Sequence, residues 1–320
     1  MDTVEQLPLF PELAGPPAVP PAEEAPAPPA LSARAPLREA IRAFEDAMVL
    51  KGFTRNTITA FRADLRILCE FIPPDRPVGE ISTRDLQGFL TYLVRERGRP
   101  CKPKSYARRL TTLKVFFGWL YEEGTLPHDP AAPLVHQPAY TPLPRVLSDG
   151  QIAQVREAAQ RLAQGEKPDW RPWLLFELLL QTGIKKTECM NIHLADIDIT
   201  HPEGPALHIR YSPVRQRYKE RTLKLPAEIV TLLREYRAQY QPAEHLFECT
   251  ARNLEYVLNH LAELAGIDGG ISFEMMRWTA ALRDYRAGMD EAALRRKLGL
   301  SKLRWRETLE KLQRLAEPAL

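Results

Sequence analysis

The chain of 320 residues carries a formal net charge of +3, with 44% hydrophobic and 27% charged residues. That balance is ordinary for a soluble globular protein, and the length allows two domains with separate cores. No apolar run is long enough to span a bilayer, and the four cysteines (Cys69, Cys101, Cys189, Cys249) form no CxxC pair, which argues against a membrane protein or a disulfide-stapled scaffold and fits reduced thiols in a cytosolic protein.

The first 36 residues hold ten prolines and repeated alanines, as in "PPAVPPAEEAPAPPA". Such a segment buries too little apolar surface to offset its ordering entropy, so a disordered arm is expected over residues 1–36. Its acidic, proline-rich character differs from that of a signal or transit peptide. Five acidic side chains against Arg34 give this arm −4, so the rest of the chain, within a total of +3, carries +7. A basic remainder permits a nucleic-acid partner. Near the start, "QLPLF" resembles the Gln-Leu-x-Leu-Phe peptide by which bacterial proteins dock on the polymerase sliding clamp. The resemblance implies Leu9 and Phe10 in an apolar pocket, Gln6 making polar contacts, and Leu7 completing the motif.

Four helical patterns come next. In "LREAIRAFEDAMVL" the residues Leu37, Ile41, Phe44 and Met48 share one helical face, and "TRNTITAFRADLRILCEFI" repeats this with Ile58, Phe61, Leu65 and Leu68. "STRDLQGFLTYLVRERG" follows with Ser82 as its N-cap, and "KSYARRLTTLKVFFGWLYEEG" ends at Gly124. These make an all-helical domain over residues 37–124. Six prolines in residues 125–147 read as an extended linker. A second domain, residues 148–320, starts with a capping-box pattern at "SDGQ". Helices run to about Ile192; two strands, "ALHIRY" and "RTLKL", flank the basic connection "SPVRQRYKE"; Pro226 opens a further helix, and helices continue to the end. The expected fold is mainly α with one small β-sheet or hairpin.

Five fragments, in order, resemble the tyrosine recombinase (phage integrase) family with its Xer-like layout. They are the four-helix N-terminal domain with a proline-rich segment ending "LPRVLS", "LLLQTGIKKTECMNIHLADID", the hairpin "VRQRYKERTLKLP", "FEMMRWTAAL" and "LRRKLGL". The resemblance covers residues 37 to about 315 and implies a helical, SAM-like core-binding domain that clamps DNA, followed by a catalytic-type domain. In that family a tyrosine attacks a DNA phosphate. Two arginines fork onto its oxygens, a hairpin lysine protonates the leaving oxygen, and histidines assist.

Carried onto this chain, the first arginine falls on Lys185, which keeps the charge without the fork. The hairpin lysine falls near Gln216, with Lys219 close by. The histidine positions hold Glu274, Trp278 and Leu300, Arg277 is retained, and the nucleophile position is Leu309. The last tyrosine, Tyr285, comes too early, and no histidine follows His260. The resemblance therefore implies the fold without the cleavage chemistry. Two readings of Arg277 stand open: contact with a phosphate, or a structural pairing with Glu274 or another carboxylate.

Basic residues cluster where the resembling fold encircles DNA. The first cluster holds Arg95, Arg97, Arg99, Lys102, Lys104, Arg108 and Arg109; the hairpin adds Arg210, Arg215, Arg217, Lys219 and Arg221. Lys185 and Arg277 join them as candidate phosphate contacts, and a third cluster runs from Arg295 to Arg306. No Gly-rich phosphate loop is present, so no cofactor is implied, and Cys189 with His193 are read as ordinary packing and surface residues and not as a metal pair. The leading expectation is a DNA-binding accessory, architectural or competing factor, alone as a homo-oligomer or beside an active recombinase. The alternatives are an active recombinase with atypical residues and a protein-interaction scaffold.

Overall fold

The computed structural model describes residues 31–99, 101–135, 142–212 and 214–317, so the peptide from Gln6 to Phe10 and the side chain of Arg215 lie outside the described part. The chain divides into two compact units, with the boundary between Thr141 and Pro142.

The first unit is a four-helix domain: α1 (Leu37–Leu50), α2 (Arg55–Phe71), α3 (Thr83–Arg95) and α4 (Pro103–Glu122). Each start has a local cause. The Thr54 hydroxyl accepts from Thr57 N, Ser82 and Asp85 form a reciprocal capping box, and Pro103 opens α4 where its missing N–H costs nothing. The apolar stripes meet in one core containing Leu37, Phe44, Met48, Leu65, Leu68, Phe89, Phe116 and Phe117. Part of the expected linker belongs to this core. Leu126, Ala131 and Leu134 are buried in it, Thr83 Oγ1 donates to Pro130 O (2.8 Å), and Lys114 Nζ donates to Ala132 O (3.2 Å). The prolines there shape a loop whose intervening apolar residues find the helices.

The second unit holds α5 (Asp149–Gln164), α6 (Arg171–Thr182), α7 (Lys186–Met190), α8 (Glu228–Tyr240), α9 (Ala251–Leu264), α10 (Phe273–Arg286), α11 (Glu291–Lys297) and α12 (Lys302–Ala316). Helix α6 is buried almost all round and packs against α5, α8, α9 and α10. Its one buried carboxylate, Glu177, takes a two-pronged grip from Arg156 at 2.6 and 3.1 Å. The Ser148–Gln151 capping box starts α5 as its sequence implies. A three-stranded antiparallel sheet has the order β1 (Ile197–Asp198), β2 (Ala206–Ile209), β3 (Arg221–Lys224), with Leu207 opposite both Ile197 and Leu223. Residues 142–147 lie on this unit: Arg145 donates to the carbonyls of Asp268 (2.5 Å) and Gly269 (3.3 Å), and Leu147 N donates to Thr279 Oγ1 (2.9 Å). Among the described residues no helix is long and apolar enough to cross a membrane.

Candidate functional site

Three cationic side chains from separate elements gather around one carboxylate, Glu188 on α7. Arg221, which opens β3, sets Nη2 2.9 Å and Nη1 3.1 Å from its two oxygens. Lys185, the N-cap of α7, donates its backbone N to Glu188 Oε2 (2.8 Å) and brings Nζ to 3.5 Å from Oε1. The Tyr211 hydroxyl donates to the same Oε1. Glu188 and Arg221 side chains are only 1% and 8% exposed, so the ion pair is buried, and Arg221 makes two further bonds to the carbonyls of Lys297 (2.7 Å) and Lys219 (3.2 Å).

Arg277 enters from α10. Its Nη1 donates to Gly183 O and its Nη2 to Leu298 O, each at 2.6 Å. This resolves its structural role: backbone carbonyls, and not Glu274, receive the guanidinium, while Glu274 stands exposed in the first turn of α10. Two left-handed glycines permit close packing here, and the second makes room for Arg221. Gly183 has φ +60°, and a Cβ there would press on Leu298 and Ala280; Gly299 has φ +58°, and a Cβ there would lie 2.9 Å from Arg221 Nη1.

The electrostatics follow from this arrangement. Burial would raise the Glu188 pKa, but the hydrogen bonds and charge of Arg221, with Lys185 behind them, hold it at about 2. Burial pulls Arg277 down to about 10 against the attraction of Glu188, so it stays charged at neutral pH. Burial also lowers Lys185; Glu188 opposes this, and Arg277 and Arg221 add to it. Burial, then the hydrogen bond to Glu188, pushes the Tyr211 phenol well above its ordinary value. Three cations thus face one carboxylate, a surplus of positive charge at a site where Lys185 remains 35% exposed. That surplus can attract an anion such as a phosphate.

A cleft of about 910 Å³ opens beside the cluster, lined in part by Glu188, Tyr211, Gln216, Arg210 and Arg217. The basic connection between β2 and β3 folds as a short 3-10 helix, Val214–Lys219, and Lys219 Nζ sits 5.7 Å from the Tyr211 ring. The positions Leu300 and Leu309 hold apolar side chains that contact other apolar groups. With Trp278 and Tyr285 they pack around buried Leu294, Leu298, Trp305 and Leu312 in a satellite apolar cluster.

The candidate phosphate contacts divide into free and committed groups. Arg95, Arg99, Lys102, Lys104 and Arg217 are exposed. Arg97 pairs with Glu70 at 3.1 Å. Arg108 and Arg109 converge on buried Asp64 at 2.6 and 3.3 Å, and Arg109 also donates to Cys101 Sγ. Arg109 and Arg221, counted among surface cations from the sequence, therefore turn inward, each because a buried carboxylate requires a partner. Cys189 is fully buried and His193 exposed.

Glu188 and Tyr211 escaped the sequence reading. The available signal for Glu188 was its place in the first turn of α7, where its carboxylate accepts from the backbone N of Lys185 three residues earlier. Tyr211 stands 23 residues away in sequence, and no local pattern marks it.

The profile described as "Phage integrase, N-terminal SAM-like domain" matches residues 41–124, and "Phage integrase family" matches residues 145–305. Among similar proteins, tyrosine recombinase XerC of Roseiflexus sp. (strain RS-1) is 29% identical, over 78% of this chain and 81% of its own length. Tyrosine recombinase XerD of Proteus mirabilis is 28% identical, over 82% of this chain and 85% of its own length. Among solved structures, a lambda integrase dimer bound to a COC' core site superposes with a TM-score of 0.68 at 17% identity, covering 89% of this chain and 80% of that one. XerH recombinase bound to palindromic difH, in a post-cleavage complex, gives 0.65 at 17%, covering 87% and 82%.

Proposed function

Because this chain belongs to the phage integrase family, we propose that it grips duplex DNA as a recombination factor without cutting it, in an accessory, architectural or competing role. One observation carries the reading. Leu300 and Leu309, where the family's histidine and nucleophile are expected, place apolar side chains in a hydrophobic cluster, and neither can carry a proton or attack a phosphate. The tyrosine that does reach those cations, Tyr211, donates to Glu188 and has its phenol held protonated, the wrong state for a nucleophile.

The names of the relatives favour a second reading, an active recombinase with atypical residues, and a covalent protein–DNA adduct separates the two. The relatives crystallised as dimers and tetramers on DNA support self-association of this chain on a duplex. Docking of the Gln6–Phe10 peptide on a sliding clamp belongs to the same proposal and rests on the motif alone.

DNA binding is tested by anisotropy of a labelled random-sequence duplex titrated at several salt concentrations. The expected result is a steep log–log salt dependence, about −0.9 for each phosphate neutralised. Reversing the exposed cations Arg95, Arg99, Lys102 and Lys104 to Glu should flatten that slope and lower affinity at least about tenfold at moderate salt. Absence of binding at low salt would overturn the proposal and point to a protein-interaction scaffold.

A further inference from the structure

The same cleft is lined by two histidines, His193 and His245, outside the cation cluster around Glu188. His193 precedes β1 and His245 follows α8, and an isolated antiparallel bridge joins the two residues. The bridge is fixed by Leu194 N donating to Glu244 O (2.9 Å) and Leu246 N donating to Ile192 O (2.8 Å), and Ile192 and Leu246 are buried in the core. The imidazole rings therefore lie side by side, 4.4 Å between centroids. Glu244 joins them on the same loop, which Glu248 fastens by accepting from the backbone N–H groups of Ala243 and Glu244, both at 2.8 Å.

We propose that His193, Glu244 and His245 form a binding site for one divalent transition-metal ion of the zinc class. Their ligating atoms all lie within 4.8 Å of one another. A tetrahedral ion with bonds of about 2.0–2.1 Å needs roughly 3.4 Å between neighbouring ligand atoms. His193 and Glu244 already meet that, with Nε2 3.6 Å from Oε1, and His245 closes the remaining gap by turning its ring.

A supporting residue stands behind the first histidine. Asp196, with a side chain only 6% exposed, sits 3.4 Å from His193 Nδ1. It is itself held by His193 N (3.0 Å) and Arg210 Nε (2.8 Å). A carboxylate on the Nδ1 side of the ring, with Nε2 turned toward Glu244, is the arrangement common behind metal-bound histidines. Imidazole and carboxylate donors suit Zn²⁺, Co²⁺ and Ni²⁺ better than Mg²⁺ or Ca²⁺. Three protein ligands leave a position open toward the cleft, and the ion would cross-link the loop after α8 to the turn before β1.

Co²⁺, whose visible spectrum reports its ligands, tests this on the full-length chain without an affinity tag. The expected result is one saturable equivalent giving a visible ligand-field band and no thiolate charge-transfer band, displaced by Zn²⁺. His193→Ala or His245→Ala should each weaken Co²⁺ binding at least about tenfold, Glu244→Gln should weaken it less, and His260→Ala should leave it unchanged. Far-UV circular dichroism verifies that these surface variants fold. Absence of saturable binding, a thiolate band from the cysteines, or unchanged binding in the His193 and His245 variants would overturn the proposal.

Discussion

Glu188→Ala is expected to cost about 3–5 kcal/mol of folding stability, the range for breaking one side of a buried ion pair. Urea unfolding measures it as a lowered midpoint. The loss comes less from the missing attraction than from what remains: Arg221, 8% exposed, would face Lys185 and Arg277 with no carboxylate between them. A second route gives a similar magnitude. The Glu188 pKa falls from 4.5 to about 2 on folding, and at 1.36 kcal/mol per unit that is about 3 kcal/mol. Because the folded pKa is depressed, this stability is fully present above about pH 4.5 and disappears as pH falls toward about 2. In Glu188→Ala that portion of the acid dependence should be missing. Pairing Glu188→Leu with Arg221→Met should recover part of the loss, since removing both charges also removes the cost of burying them. A Glu188→Ala variant as stable as the parent would mean that the cluster contributes nothing.

Arg277→Ala is the second large effect, on the order of 3 kcal/mol, since two charge-assisted hydrogen bonds are lost and two carbonyls lose that donor. Those carbonyls, of Gly183 and Leu298, end α6 and α11, so the guanidinium ties three helices together. Arg277→Lys should recover less than half, because an ammonium cannot fork between the two oxygens. DNA affinity of the folded variant should fall by no more than one lost phosphate contact. A variant that keeps its stability and loses most of its DNA binding would instead make Arg277 a phosphate ligand.

The elements that carry local signals were legible in the sequence. Ser82 and Ser148 cap helices as their neighbours imply, and the apolar faces of α1 and α2 are the ones buried. The hairpin strands fall where their alternation puts them. What escaped was long-range. Arg221 reads as one more hairpin cation, and only the fold brings it to Glu188, 33 residues away. Asp64 likewise looks like a polar position on a helix, yet its burial makes Arg108 and Arg109 its partners and draws Arg109 in from the surface. Residues 125–134 mislead for a different reason: proline content signals an extended chain, but it does not reveal that Leu126, Ala131 and Leu134 have a core to enter.

The site shows the same division. Sequence registers Lys185, Arg277 and Leu309 individually, and their chemistry depends on which neighbours they keep. Lys185 and Arg277 remain in the field of Glu188, whereas Leu309 sits with Trp305 and Leu312. Restoring a tyrosine at position 309 alone should therefore not restore cleavage, since the new hydroxyl would enter an apolar cluster with no paired base.

The most direct test of a duplex-gripping protein without cleavage chemistry is covalent capture. The protein is incubated with end-labelled fragments of total DNA from its own source, and each sample is split between native filter retention and potassium–SDS precipitation. Our account predicts salt-sensitive retention on the native filter and no labelled DNA in the denatured precipitate. Labelled DNA in that precipitate, lost on protease treatment, would mean that a strand has been joined to the protein, and would contradict the account.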